Sequence, residues 1–188
     1  MFIQTEQTPN PASLKFIPGC EVLGQGTAEF TTADAAADVS PLASQLFKID
    51  GVAAVFLGSD FITISKSDAL PWPALKPLVL GVIMEHFTKG LPVLTSEQHA
   101  TSPTAHSANE TDSDVVRQIK EILDTRIRPA VAADGGDVVF FDFDDGVVYL
   151  QMRGACAGCP SATMTLKAGI ENLLKHFIPE VREVRAAE

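Results

Sequence analysis

Asp134-Gly135-Gly136-Asp137 leads into Val138-Val139-Phe140-Phe141-Asp142-Phe143; after Asp145-Gly146 a second run, Val147-Val148-Tyr149-Leu150-Gln151-Met152, ends in Arg153-Gly154-Ala155-Cys156-Ala157-Gly158-Cys159-Pro160. Two β-branched and aromatic runs joined through Asp-Gly predict a hairpin, because its tight turn needs residues that accept positive φ. Upstream, Val115, Val116, Ile119, Ile122, Leu123 and Ile127 recur at helical spacing, with Asp112 placed as N-cap and Pro129 disturbing the helix near its end. Downstream, Pro160 opens a second helix whose apolar stripe is Met164, Leu166, Ile170, Leu173, Leu174 and Phe177, and Pro179 ends it. Val181 to Val184 then alternate as a short strand. The order α-β-β-α-β predicts an α+β domain with its helices on one face of a small sheet.

Further out, Thr95 to Thr111 (TSEQHATSPTAHSANET) has almost no large apolar residue and neither helical nor strand periodicity. Such a segment cannot bury enough surface to offset the entropy of ordering it, which predicts a flexible linker. The expected organisation is two small α+β domains, residues 1–94 and 112–188, joined by a linker over 95–111. In the first domain Leu14 to Ile17 reads as a strand and Pro41 to Ile49 as a short helix. Val52 to Leu57 and Phe61 to Ser65 read as a hairpin around Gly58-Ser59. Pro73 to Lys89 reads as a helix bent at Pro77 or Gly81. No catalytic constellation stands out there, and the reading is a structural or partner-binding module.

A formal charge of −10 argues against nucleic acid or an anionic membrane as the main partner, since both select for clustered Lys and Arg. The longest uncharged apolar stretch, Pro77 to Met84, is far too short to span a bilayer. Met1 to Glu6 lacks the layout of a secretory or transit leader, which predicts a reducing, bacterial-type cytoplasm; a processed organellar protein has the same look. Three cysteines make a poor disulfide framework, and in a reducing compartment a close pair is more often a metal or redox site.

The chemistry concentrates at Cys156 and Cys159. At this spacing, on a tight turn, both sulfurs can face one point, and Ala157 and Gly158 add little bulk. With Pro160 at the first helical position, Cys159 falls at or beside the N-cap, where free amides and the helix dipole favour the thiolate that a metal requires. Cluster and structural zinc sites usually take four protein ligands, and one chain supplies two here. Cys20 lies in the other domain, His176 is far along the second helix, and His86, His99 and His106 are no evident ligands. Two copies of the pair about a two-fold axis complete a set of four cysteines at a subunit interface. Taken alone, the pair leaves three readings open: cluster or metal site, dithiol redox centre, or incidental thiols. A thioredoxin-like centre expects the pair within a βαβ pattern, whereas here it follows a hairpin.

Asp134 to Val138, the hairpin, and Gly154-Ala155-Cys156-Ala157-Gly158-Cys159-Pro160-Ser161 together resemble the NifU-like C-terminal domain of Nfu-type iron–sulfur scaffold proteins. Gln7-Thr8-Pro9-Asn10-Pro11, Leu14-Lys15-Phe16 and Pro18-Gly19 are similar to the N-terminal domain of the mitochondrial and alphaproteobacterial members. The resemblance covers nearly the whole chain apart from the linker. It implies a non-enzymatic carrier that binds a 4Fe–4S cluster between two subunits, with Cys156 and Cys159 as ligands, and transfers it to apo iron–sulfur client proteins after loading by upstream assembly factors. A four-cysteine set suits 2Fe–2S as well. The rival readings are a dithiol–disulfide oxidoreductase using the same pair and a structural zinc-bridged adaptor. Cys20 falls outside the motif and reads as incidental. The Asp134-to-Asp137 segment reads as a turn whose glycines let the chain pass from helix to hairpin.

Overall fold

The structure, a computed structural model, describes residues 2–95, 113–157 and 160–187. The fold is α+β, in two compact units that divide near Pro103. Most of the segment read as a linker, and Asp112, lie outside the described residues. Thr95, its first residue, is tied to the first unit: its hydroxyl donates to the Asp38 carbonyl at 2.7 Å and its amide to that of Val39 at 2.8 Å.

The first unit holds five antiparallel strands, β1 (Gln4–Gln7), β2 (Ser13–Ile17), β3 (Ala28–Phe30), β4 (Val52–Leu57) and β5 (Ile62–Lys66), in the order β1-β2-β5-β4-β3. Its helices are α1 (Ala33–Ala37), α2 (Pro41–Leu46) and α3 (Trp72–Thr88). Period-two alternation sends Leu14 and Phe16 of β2, Ile62 and Ile64 of β5, and Val55 and Leu57 of β4 into one core. Leu75, Val79 and Ile83, at successive four-residue steps of α3, meet them there. The strand, helix and hairpin expected near residues 14, 41 and 52–65 are all present. α3 runs continuously through Pro77 and Gly81, because one lost backbone bond is outweighed by the packing of its buried stripe. β1, β3 and α1 have no counterpart in the sequence reading; they are three to five residues long and carry little apolar pattern.

His86 extends the buried stripe of α3 and is 3% exposed, with no hydrogen-bond partner for either ring nitrogen among the described residues. Burial holds its pKa below the ordinary histidine value; the nearby backbone of Pro92 and Leu91, which makes no regular hydrogen bond to the ring, opposes only part of that shift. A histidine with a lowered folded-state pKa binds its proton more readily in the unfolded chain. Its contribution to stability is intact above about pH 6.5 and is lost as the pH falls below it. The loss approaches about 1.4 kcal/mol per pH unit. Urea unfolding followed by Trp72 fluorescence at pH 7.5 and 5.5 is expected to show this loss in the native chain and a smaller one in His86→Leu. Equal losses in both would remove His86 as the cause.

In the second unit Ser113, not Asp112, caps α4 (Asp114–Ile122), its side chain accepting from the Val116 amide at 3.3 Å. A π-helical turn, Leu123–Ile127, joins α4 to α5 (Arg128–Ala133). Pro129 thus sits in the first turn of a new helix, where a missing N–H costs nothing, and the disturbance expected near it is the π-helical turn, through which the chain stays helical. The hairpin is β6 (Gly136–Asp144) and β7 (Val147–Gly154), turning through Asp145 (φ 43°) and Gly146 (φ 81°). Helix α6 (Pro160–Phe177) follows. The last strand, β8 (Glu183–Ala186), lies two residues later than the alternation indicated and runs parallel to β7, giving the order β6-β7-β8. Ile119, Leu123, Val138, Val148, Leu150, Ile170 and Leu174 form the core between sheet and helices.

Candidate cluster site

Two glycine-bearing turns meet where the cysteine pair begins. Gly136 at the start of β6 faces Gly154 at the end of β7, and Gly135 and Gly154 both take positive φ (83° and 67°). The Ala155 amide donates to the Gly135 carbonyl at 3.2 Å, and the Ala157 amide to that of Gly154 at 3.1 Å. A Cβ added to Gly136 would stand 2.6 Å from the Arg153 carbonyl oxygen and 2.8 Å from the sulfur of Cys156. Only glycine lets these strands approach so closely while the sulfur lies over them. From α6 the Thr163 hydroxyl donates to the Cys156 carbonyl at 2.9 Å, tying the turn to the helix that follows it.

Cys156 is 5% exposed and packs in the core of this unit. Burial, reinforced by the negative fields of Asp134 and Asp137, pushes its thiol up to about 12. In this conformation it is a protonated thiol inside the domain. Cys159, expected at or beside the helix N-cap, lies outside the described residues. Cys20 is partly buried in the other unit. Among the described residues no three His, Cys, Asp or Glu side chains gather as metal ligands, and no helix is long and apolar enough to cross a membrane.

Beneath the turn lies a charge pair that sequence reasoning passed over. Asp137 is 3% exposed, and Arg128 grips it with both arms of its guanidinium, Nε to Oδ1 at 2.8 Å and Nη2 to Oδ2 at 2.9 Å. Nη1 donates to Asp124 at 3.2 Å, and the Val138 amide to Asp137 Oδ1 at 2.8 Å. The pair clamps the π-helical turn and the start of α5 to the first residues of β6. The available signal was weak: an Arg near the end of a helical pattern and an Asp nine positions on, in a segment that reads as turn.

Two family models match the chain: the scaffold protein Nfu/NifU N-terminal domain over residues 3–90 and the NifU-like domain over 119–185. The NFU1 iron–sulfur cluster scaffold homolog, mitochondrial, of Homo sapiens is 53% identical over 185 residues, covering 98% of this chain and 71% of the relative. The chain belongs to the NFU1 iron–sulfur cluster scaffold family. The protein of the same name from Drosophila willistoni is also 53% identical, over 184 residues, and this chain spans 63% of its length. A solved NifU-like protein from Saccharomyces cerevisiae overlaps 52% of this chain and 87% of its own at 27% identity and a TM-score of 0.42.

Membership of this family bears out the resemblance read from the two motifs. It also corrects one expectation. The bacterial-type cytoplasm inferred from the first residues does not stand, since the relatives are named as mitochondrial. The folded domains themselves carry no physical trace of the compartment in which they work.

Proposed function

We propose that this chain is a carrier, not an enzyme, that holds a 4Fe–4S cluster between two copies through Cys156 and Cys159 of each and hands it to apo-proteins. The observation that carries the reading is the pair Cys156-Ala-Gly-Cys159 in a chain of the iron–sulfur scaffold family; two copies of that pair would make up the four thiolates a cluster takes. The mitochondrial names of the relatives support an organellar setting for the role. Apo iron–sulfur proteins are the clients, and upstream assembly factors deliver the cargo.

The donor chemistry fits. Thiolates are the ligands iron–sulfur clusters take, and the turn has the small residues that let inorganic sulfide come close. The buried state of Cys156 adds a step: the backbone that carries it must swing its sulfur outward and release a proton before a ligand bond can form. Return to the buried thiol then favours release, since Cys156 regains its packing and its proton once it lets go of iron. The pair follows an antiparallel hairpin and not a βαβ unit, which weighs against a thioredoxin-like dithiol centre.

Anaerobic reconstitution with iron and sulfide is expected to give a brown protein. Cys156→Ser and Cys159→Ser should lose the colour, while Cys20→Ser keeps it. Colour that survives in either of the first two variants, or a colourless protein that carries stoichiometric zinc, would overturn the assignment.

A further inference from the structure

We propose that a cleft at the open edge of the N-terminal sheet receives an extended acidic segment of a partner protein, which adds a strand beside β1 and sets a carboxylate against Lys76. The proposal concerns the first unit alone and does not depend on the cluster reading.

Strand β1 pairs with β2 on one side and, among the described residues, has no strand on the other, so half of its backbone donors and acceptors face outward. Against it opens a cavity of about 520 Å³, lined by Thr5 and Gln7 of β1, by Pro9 and Pro11, and by Trp72 and Lys76 of α3, among others. Thr5 and Gln7 project to the same face by the alternation of the strand. Glu6 points the other way, where its carboxylate sits 3.6 Å from Lys15 Nζ and stays out of the cleft. Trp72 donates its indole N–H to the Pro11 carbonyl at 3.0 Å. That bond fixes the ring and leaves its face as apolar wall.

Charge selects the occupant. Lys76 is the one charged side chain among the described lining residues, in a chain that carries 24 Asp and Glu against 14 Lys and Arg. It has no ion pair among the described residues. An unpaired cation beside an apolar floor, at the margin of an open strand edge, matches an apolar residue flanked by Asp or Glu on an extended backbone. Main-chain bonds would give such a segment its affinity; the Trp72 wall and Lys76 would give it specificity.

The test uses the full chain and a displayed library of random twelve-residue peptides. Enriched peptides, made synthetically, are expected to combine β-forming residues with at least one Asp or Glu. They should shift the emission of Trp72, the single tryptophan of the chain. Lys76→Glu, a change at a half-buried position in the cleft wall, should weaken them by about tenfold or more. N-methylation of alternate peptide amides should abolish binding in one register and spare it in the other, as an added strand requires. No enrichment, enriched peptides without acidic residues, or binding indifferent to Lys76→Glu or to N-methylation would each overturn the proposal. So would self-association of the chain that Lys76→Glu abolishes, because the occupant would then be a second copy.

Discussion

Arg128→Gln is expected to cost the C-terminal unit about 3–5 kcal/mol, the usual penalty for leaving one member of a buried ion pair without its partner. The carboxylate stranded is that of Asp137, which is 3% exposed and takes both arms of the guanidinium at 2.8 and 2.9 Å. Glutamine can offer one amide where arginine offers a fork, and it supplies no charge. A domain of this size has a total stability on the order of 5–10 kcal/mol, so the variant should unfold at a markedly lower urea concentration. Backbone amide signals of the second unit, followed by NMR through the titration, separate its unfolding from that of the first. The double variant Arg128→Met, Asp137→Leu should recover much of the loss, because it removes both charges instead of stranding one. A loss below about 1 kcal/mol in Arg128→Gln would mean that water reaches Asp137 and that the clamp is a surface pair.

The second large effect is on cysteine reactivity. In the cluster-free chain at pH 7, iodoacetamide should modify Cys156 about a hundredfold or more slower than a freely exposed cysteine, because only the thiolate attacks and burial pushes this thiol up to about 12. Peptide mass spectrometry at timed intervals reads the rate at each cysteine separately. In Arg128→Gln, under conditions where the unit remains folded, the rate at Cys156 should rise, since the clamp holds the strand start against which the sulfur packs. Rapid modification of Cys156 in the unaltered chain would show that the turn stands open without cargo. The step of outward movement would then have to be dropped.

Much of the fold was legible because its strongest signals are local. Asp145-Gly146 announced the hairpin through backbone conformations that few other residues accept, and the observed φ angles at both positions are positive. What escaped were features set by distant partners or by short, polar segments. Gln4–Gln7 is a strand because β2 lies beside it, not because its own residues favour one. The register of β6 slips between Phe140 and Asp142, and Phe141 is 66% exposed; a doublet of phenylalanines reads equally well as core. The π-helical turn before Pro129 left the helical spacing intact in the sequence, and only the backbone bonding distinguishes it.

The candidate site divides the same way. Residue type and spacing identified Cys156 and Cys159 as a pair and counted them as half of a set. The burial of Cys156 was out of reach, since it depends on a glycine twenty positions earlier that leaves room for the sulfur. The helix dipole was a sound reason to expect a thiolate at Cys159, but it says nothing about a neighbour three residues back and inside the core. Asp137 reads as one more turn residue beside Gly136; its role is set by Arg128, which reaches it from another element.

The central claim is a transferable cluster shared by two copies of the chain. Mössbauer spectroscopy of anaerobically reconstituted protein, with native mass measured on the same sample, addresses it most directly. The account predicts the signature of one 4Fe–4S cluster per two chains, and a mass that falls to that of single chains as the cluster is passed to an apo-protein. A cluster bound to one chain alone, or iron absent from a protein that stays dimeric, would contradict it.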